Sequence, residues 1–167
     1  RRHTRYGTVT GVQTCALPIS IGRTNRVATA LYQSGHITYI RTDSTRTSKA
    51  ARDRIRSLIE KEYGSNHLGS GALGPDAKKG ASNVQDAHEA IRPTQPEVKT
   101  LTDVDADQQS LYRLIWGRFA ASQMSDSVRE RRDLVAKASD LELQLYGTSA
   151  WRIHAGWEAV YSRSEEH

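Results

Sequence analysis

The spacing of apolar residues changes several times along the chain, and each change marks an expected element. In residues 24–34 the apolar positions recur at helical spacing, with Val27, Leu31 and Tyr32 sharing a side. Gly35 stands where a helix end calls for a left-handed residue. Residues 36–41 alternate instead and are β-branched at Ile37, Thr38 and Ile40, which predicts a short strand. The clearest helix is expected over residues 48–63, where Ala51, Ile55, Leu58, Ile59 and Tyr63 line one face and Gly64 ends the run. A glycine-rich connection with Gly69, Gly71, Gly74 and Pro75 follows and reads as a mobile loop.

The second half divides in the same way. Residues 83–92 read as a short helical piece stopped by Pro93, because a proline disfavours helical geometry in the residue before it. Asp105 and Gln108 form a capping pair that opens a helix to about Ser122, with a stripe of Leu111, Leu114, Ile115, Phe119 and the stem of Arg118. After Met124 the period becomes two. Leu141, Leu143 and Leu145 alternate with polar residues, and 147–149 lead into 150–154, which reads as a hairpin. The fold class expected is α+β. The division is 20–124 as a mostly helical domain around a short central strand, and 125–162 as part of a strand-rich region.

The two ends fit neither half. Residues 1–19 show no period, and Val9-Thr-Gly-Val-Gln-Thr-Cys-Ala-Leu-Pro-Ile19 resembles a translated sequencing adapter. Residues 163–167 resemble the same adapter read in reverse, and the plainer alternative is a disordered tail at each end. Both ends are set aside from functional reading, as a fusion scar would be. Removing their four arginines and two glutamates lowers the net charge from +5 to +3, so basicity alone argues only weakly for an acidic partner. Cys15 also leaves consideration; it was the single cysteine, too few for a disulfide or an ordinary zinc site. No apolar run approaches the ~20 residues that span a bilayer.

Two motifs carry candidate chemistry. In Gly35-His-Ile-Thr-Tyr-Ile-Arg-Thr-Asp-Ser-Thr45, strand geometry would put Tyr39 and Arg41 on one face, roughly 6.5 to 7 Å apart. A tyrosine hydroxyl, with a pKa near ~10, is a poor nucleophile at neutral pH, and a nearby guanidinium favours its anion and clamps phosphate oxygens. In Gln85-Asp-Ala-His-Glu-Ala-Ile-Arg-Pro-Thr94, a helix would set His88 and Arg92 on one face as a basic pair for phosphate. On spacing alone each has a plainer explanation: packing and surface for the first, a solvated helix end for the second.

Taken together and in order, the motifs resemble one family. LYQSGHITYIRTDST resembles the active-site stretch of type IA DNA topoisomerases, and QDAHEAIRPT resembles a second hallmark about fifty residues later. LYRLIWGRFAASQM is similar to the helix that closes the same domain, and HAGWEAVY to the strand region that follows. The resemblance covers most of residues 31–124.

The resemblance implies an enzyme that cuts one DNA strand through a 5′-phosphotyrosine, passes a strand and reseals without ATP. It implies Tyr39 as nucleophile, Arg41 as the residue on the scissile phosphate, and His88 as an assistant through phosphate contact or proton transfer. Asp43 takes a supporting role, and Ser44 and Arg92 join Arg41 and His88 as DNA contacts or else serve as structural contacts. The strand-rich tail would belong to the arch that grips DNA. The partner implied is single-stranded or underwound DNA, the whole protein a monomer, and the location the cytoplasm at the nucleoid.

There are departures from the family pattern. Ile40 stands where methionine is common, a swap that keeps hydrophobic bulk. The acidic cluster that binds Mg²⁺ is missing, and residues 20–39 contain no Asp or Glu to replace it. The Mg²⁺ ligands are therefore expected outside this chain, and the chain alone is expected to be inactive. The motifs look closer to the bacterial relaxing enzyme than to the decatenating branch, with reverse gyrase left open. A rival from another class is a non-catalytic single-stranded DNA-binding module, which would pair a basic groove with stacking aromatics. Aromatics are only 7%, and Trp116, Trp151 and Trp157 sit where core packing explains them. Tyr39→Phe separates the two: cleavage needs the hydroxyl, and binding does not.

Overall fold

A computed structural model describes residues 20–70, 89–137 and 144–162. The order is α1 (Ile21–Gln33), α2 (Lys49–Tyr63), a 3-10 turn (Ser65–His67), α3 (Ala106–Ser122), β1 (Val128–Lys137), β2 (Gln144–His154), a second 3-10 turn (Gly156–Glu158) and α4 (Ala159–Ser162). The α+β class is as expected, with α1, α2 and α3 ahead of a two-stranded antiparallel sheet and the short α4 after it.

Local sequence sets the helix ends. Ser20 and Ser48 cap α1 and α2 by accepting the amide hydrogens of Arg23 and Ala51. Asp105 and Gln108 close the expected capping box at α3, each side chain bonded to the other's backbone N–H. At the end of α1 the Gly35 amide donates to the Tyr32 carbonyl and the His36 amide to the Leu31 carbonyl, with Gly35 at φ 75°. This paired closure turns the chain sharply out of the helix.

The core is one cluster. Val27, Ala28 and Leu31 of α1, Ala51, Ile55 and Ile59 of α2, and Leu111, Tyr112, Ile115, Trp116, Phe119 and Ala120 of α3 meet with Ile37 and Met124. The α2 face follows the expected stripe, with Leu58 and Tyr63 packed at the rim; on α1 Val27 and Leu31 are buried as expected, but Tyr32 is exposed and lies off the packed face. Helix α3 departs from its expected stripe. Arg118 is exposed and Leu114 only half-buried, whereas Tyr112, Trp116 and Gly117 are buried. The reason is tertiary. Besides α1 and α2, α3 is covered by the strap at residues 95–101, where Tyr112 donates to the Val98 carbonyl (2.6 Å) and the Trp116 indole to the Pro96 carbonyl (2.7 Å). Helix α4 covers a further side, so the apolar surface extends well beyond one narrow face.

The hairpin also differs from the sequence reading. Gly147, Thr148 and Ser149 form no turn; they lie inside β2, paired with Leu134, Asp133 and Arg132 of β1. The element missing from the sequence reading was β1, whose dense charge leaves no apolar alternation to read. Leu141 and Leu143 lie outside the described residues, as do Gly71, Gly74 and Pro75 and both adapter-like ends. Residues after His154, similar to a strand region in sequence, form the 3-10 turn and α4 instead. Trp116 is buried as expected, but Trp157 is exposed, and Trp151 is half-buried with the Arg132 guanidinium 4.8 Å over its ring.

The foot of the hairpin is stitched to the helical part. The Ser125 amide donates to the His67 carbonyl (2.8 Å), and its hydroxyl meets the Asn66 carbonyl and His154 Nε2. Glu158 accepts from Arg129 and Arg152, one on each strand. Further out Leu134 and Leu145 are more than three-fifths exposed, and among the described residues each strand has an unpaired outer edge.

Candidate functional site

The site begins at the end of α1, where the turn at Gly35 sends the chain back toward the second motif. Ile37 and Pro93 form an antiparallel bridge, the Thr38 amide donates to the Arg92 carbonyl (2.9 Å), and the Thr94 amide donates to the His36 carbonyl (3.0 Å). The expected strand is thus a single bridge. Beyond it the ladder stops, because the Arg92 amide donates to the hydroxyl of Thr38 (2.9 Å), which itself donates to the Ala90 carbonyl (2.8 Å). Ala90 in turn donates its amide to the Arg46 carbonyl (2.7 Å). The two motifs, far apart in sequence, are therefore in direct contact.

Only the end of the piece read as a helix over 83–92 is described, and residues 89–92 are not helical. Their backbone groups are taken by Thr38 and Arg46, so pairing with the first motif replaces helical bonding. His88 lies outside the described residues.

Tyr39 sits one residue past Thr38 and is 43% exposed. Among the described residues its hydroxyl has no hydrogen-bond partner, and its ring meets Tyr32 edge-on, with centroids 5.3 Å apart. Ile40 packs against the core, which keeps the apolar anchor next to the tyrosine. Arg41 is exposed, and among the described residues its guanidinium has no carboxylate partner. Strand pleating does not hold Tyr39 and Arg41 on one face, since both lie outside regular strand. Asp43 is exposed; Ser44 accepts from the Arg46 amide, and its own amide donates to the Thr42 hydroxyl. These small turns shape the path into α2.

Arg92 is placed differently from Arg41. Its side chain is only 12% exposed, ion-paired with Glu89, and it also donates to the Pro93 carbonyl (3.0 Å) and the Ser48 hydroxyl (3.4 Å). It ties the second motif to the cap of α2. Tyr112 provides a contrast to Tyr39: burial, together with the charge of Glu97, pushes its pKa up to about 12. Sequence reasoning passed over Thr38 and Tyr32, the two side chains that touch the machinery around Tyr39. Thr38 carried only a strand signal, and Tyr32 had been assigned to the helix face.

Among the described residues no three His, Cys, Asp or Glu side chains converge as a metal site requires. Nor is any described helix long and apolar enough to cross a membrane.

A family model for DNA topoisomerase matches residues 7–167. DNA topoisomerase 1 of Thermotoga maritima is 39% identical over 157 residues, which is 87% of this chain and 24% of that protein. DNA topoisomerase 1 of Escherichia coli is 38% identical over 133 residues, 78% of this chain and 15% of that protein. The solved structure of full-length topoisomerase I from Thermotoga maritima superposes with a TM-score of 0.72 at 34% identity, over 92% of this chain and 26% of that one. The chain thus spans about a quarter or less of the length of these relatives.

Proposed function

This chain belongs to the DNA topoisomerase family, and we propose that it supplies the strand-cutting tyrosine, Tyr39, of a longer type IA enzyme. The observation that carries the reading is an accessible tyrosine, its hydroxyl unpartnered among the described residues, with an accessible arginine two residues on in the sequence. Both stand in a segment bonded to the second motif.

In this reading the Tyr39 oxygen attacks a phosphorus of single-stranded DNA. A P–O bond to tyrosine forms as the bond to the 3′ oxygen breaks, and the proton lost by the phenol ends on that 3′ oxygen. One phosphodiester replaces another, so resealing needs no ATP. Arg41 neutralises charge on the phosphate oxygens in the transition state. His88 assists by phosphate contact or proton transfer, while Asp43 supports and Ser44 touches the DNA backbone. Arg92 keeps the second motif in place, and any DNA contact it makes goes through what remains accessible of its guanidinium. The whole enzyme relaxes supercoils with Mg²⁺ held by residues elsewhere, and this chain alone does not. It acts on single-stranded or underwound DNA as a monomer in the cytoplasm at the nucleoid.

The test is a chimaera in which residues 20–162 replace the matching segment of the Thermotoga maritima enzyme. Incubated with a 3′-end-labelled single-stranded oligonucleotide and quenched with detergent, it should carry label covalently, and Tyr39→Phe should carry none. Label that persists in Tyr39→Phe, or none in either protein, would refute the proposal.

A further inference from the structure

We propose that Tyr32 is a positioning residue, whose ring holds the ring of Tyr39 in the orientation from which it attacks; this rests on the function proposed above. The buried residues of α1 are Thr24, Val27, Ala28 and Leu31, so Tyr32 lies off the packed stripe and is 41% exposed. Core packing does not account for it. Its ring partner among the described residues is Tyr39, at 5.3 Å between centroids and 66° between planes, a geometry in which the edge of one ring meets the face of the other.

The juxtaposition follows from how α1 ends. Tyr32 contributes its carbonyl to the closing turn, and Gly35 at φ 75° reverses the chain so that Tyr39 returns beside the last helical turn. Two separate anchors then act on the nucleophile. At its root, the neighbouring Thr38 is bonded to Ala90 and Arg92, which fixes the backbone. At its tip, the Tyr32 ring restricts the side chain. A half-exposed tyrosine without that contact would spread over the staggered χ1 wells, and only one of them points the hydroxyl at a given phosphate. A residue acting in this way lowers the rate of attack when removed, without weakening DNA binding.

The experiment has two arms. In the chimaera described above, Tyr32→Leu should slow single-turnover formation of the covalent adduct at saturating oligonucleotide by roughly 2- to 13-fold, the span that an edge-to-face pair is worth. The dissociation constant for the oligonucleotide, read by fluorescence anisotropy, should stay unchanged, and Tyr32→Phe should restore most of the rate. A weaker affinity at an unchanged rate would instead make Tyr32 a DNA-stacking residue, and a faster or unchanged rate would make the ring pair idle or inhibitory; each overturns the proposal. The second arm uses the 167-residue chain and no DNA. NMR ring signals of Tyr39 should shift in Tyr32→Leu and stay near their original positions in Tyr32→Phe. Unmoved Tyr39 signals in Tyr32→Leu overturn the positioning role even if the chimaera is active. If the wild-type chimaera forms no adduct, the proposed function fails, and this arm still decides whether Tyr32 orients Tyr39.

Discussion

Thr38 and Arg92, 54 residues apart, hold each other twice: the Thr38 amide donates to the Arg92 carbonyl, and the Arg92 amide donates to the Thr38 hydroxyl. The second bond uses a side chain where a strand would use its carbonyl. It therefore ends the pairing one residue before Tyr39 and leaves that side chain outside the sheet-like region. The site is framed by two hydrogen bonds rather than by a strand.

Thr38→Val keeps the shape of the side chain and removes its hydroxyl. The Arg92 amide loses its acceptor and the Ala90 carbonyl loses a donor. A buried polar group left unpaired costs about 1–3 kcal/mol. Urea unfolding of Thr38→Val should show a loss in that range with an unchanged slope, and Thr38→Ser should recover most of it.

Tyr39→Phe should leave stability within about 0.5 kcal/mol of wild type, because the hydroxyl has no partner among the described residues. Thermal unfolding of the chain and adduct formation by the chimaera should therefore respond oppositely, with the first unchanged and the second abolished. A clear drop in melting temperature would show that the hydroxyl serves the fold.

Two glycines should fail for different reasons. A Cβ at Gly35 meets nothing within 4 Å, but its φ of 75° is left-handed, so Gly35→Ala pays only the backbone cost of about 1–2 kcal/mol. Asn, which tolerates that conformation, should cost less. Gly69 has no such φ; a Cβ there would lie 2.8 Å from the Met124 carbonyl carbon and closer still to its oxygen. Gly69→Ala should cost about 1–3 kcal/mol through overcrowding, and Asn there should be worse than Ala. Denaturant titrations of the four variants check the opposite rank orders.

Alkaline pH should act through Tyr112. Its folded pKa is raised to about 12 by burial and by Glu97, against an ordinary value of 10.0. The neutral phenol is thus favoured in the folded state. The stability this contributes is complete below pH 10 and is lost as pH rises through about 12. Stability followed from pH 9 to 12 should fall, and Tyr112→Phe, which cannot ionise, should flatten the decline.

How much of this was legible in the chain depended on the range of the interactions. The capping pair Asp105 and Gln108, the ends of α1 and α2 at Gly35 and Gly64, and the stripes of Val27 and Leu31 and of Ala51, Ile55 and Ile59 all rest on contacts within a few residues. Tyr39 and Arg41 were picked out because their motif resembles a family, and the structure finds both exposed. The burial of Tyr112 and Trp116 was not legible, because the strap at 95–101 that accepts their hydrogen bonds shows no periodic signal.

By itself the sequence determined α2, α3 and the body of α1, the capping box at Asp105 and Gln108 and the identity of the chemical motifs, since short-range hydrogen bonds and side-chain periodicity decide those. Only the tertiary structure decided that Ile37 meets Pro93, that Tyr32 lies against Tyr39, and that Gly147 sits inside β2 opposite Leu134. The pairing of 37 with 93 joins residues distant in sequence whose local patterns fit several partners, so the partner is selected by which surfaces the folded core brings together, whereas β1 and β2 are hairpin neighbours and only their register was left open by the sequence. The Tyr32–Tyr39 contact spans only seven residues, but it needs the chain reversal at Gly35 and the anchor at Thr38, and the second of these exists only once the two motifs have met.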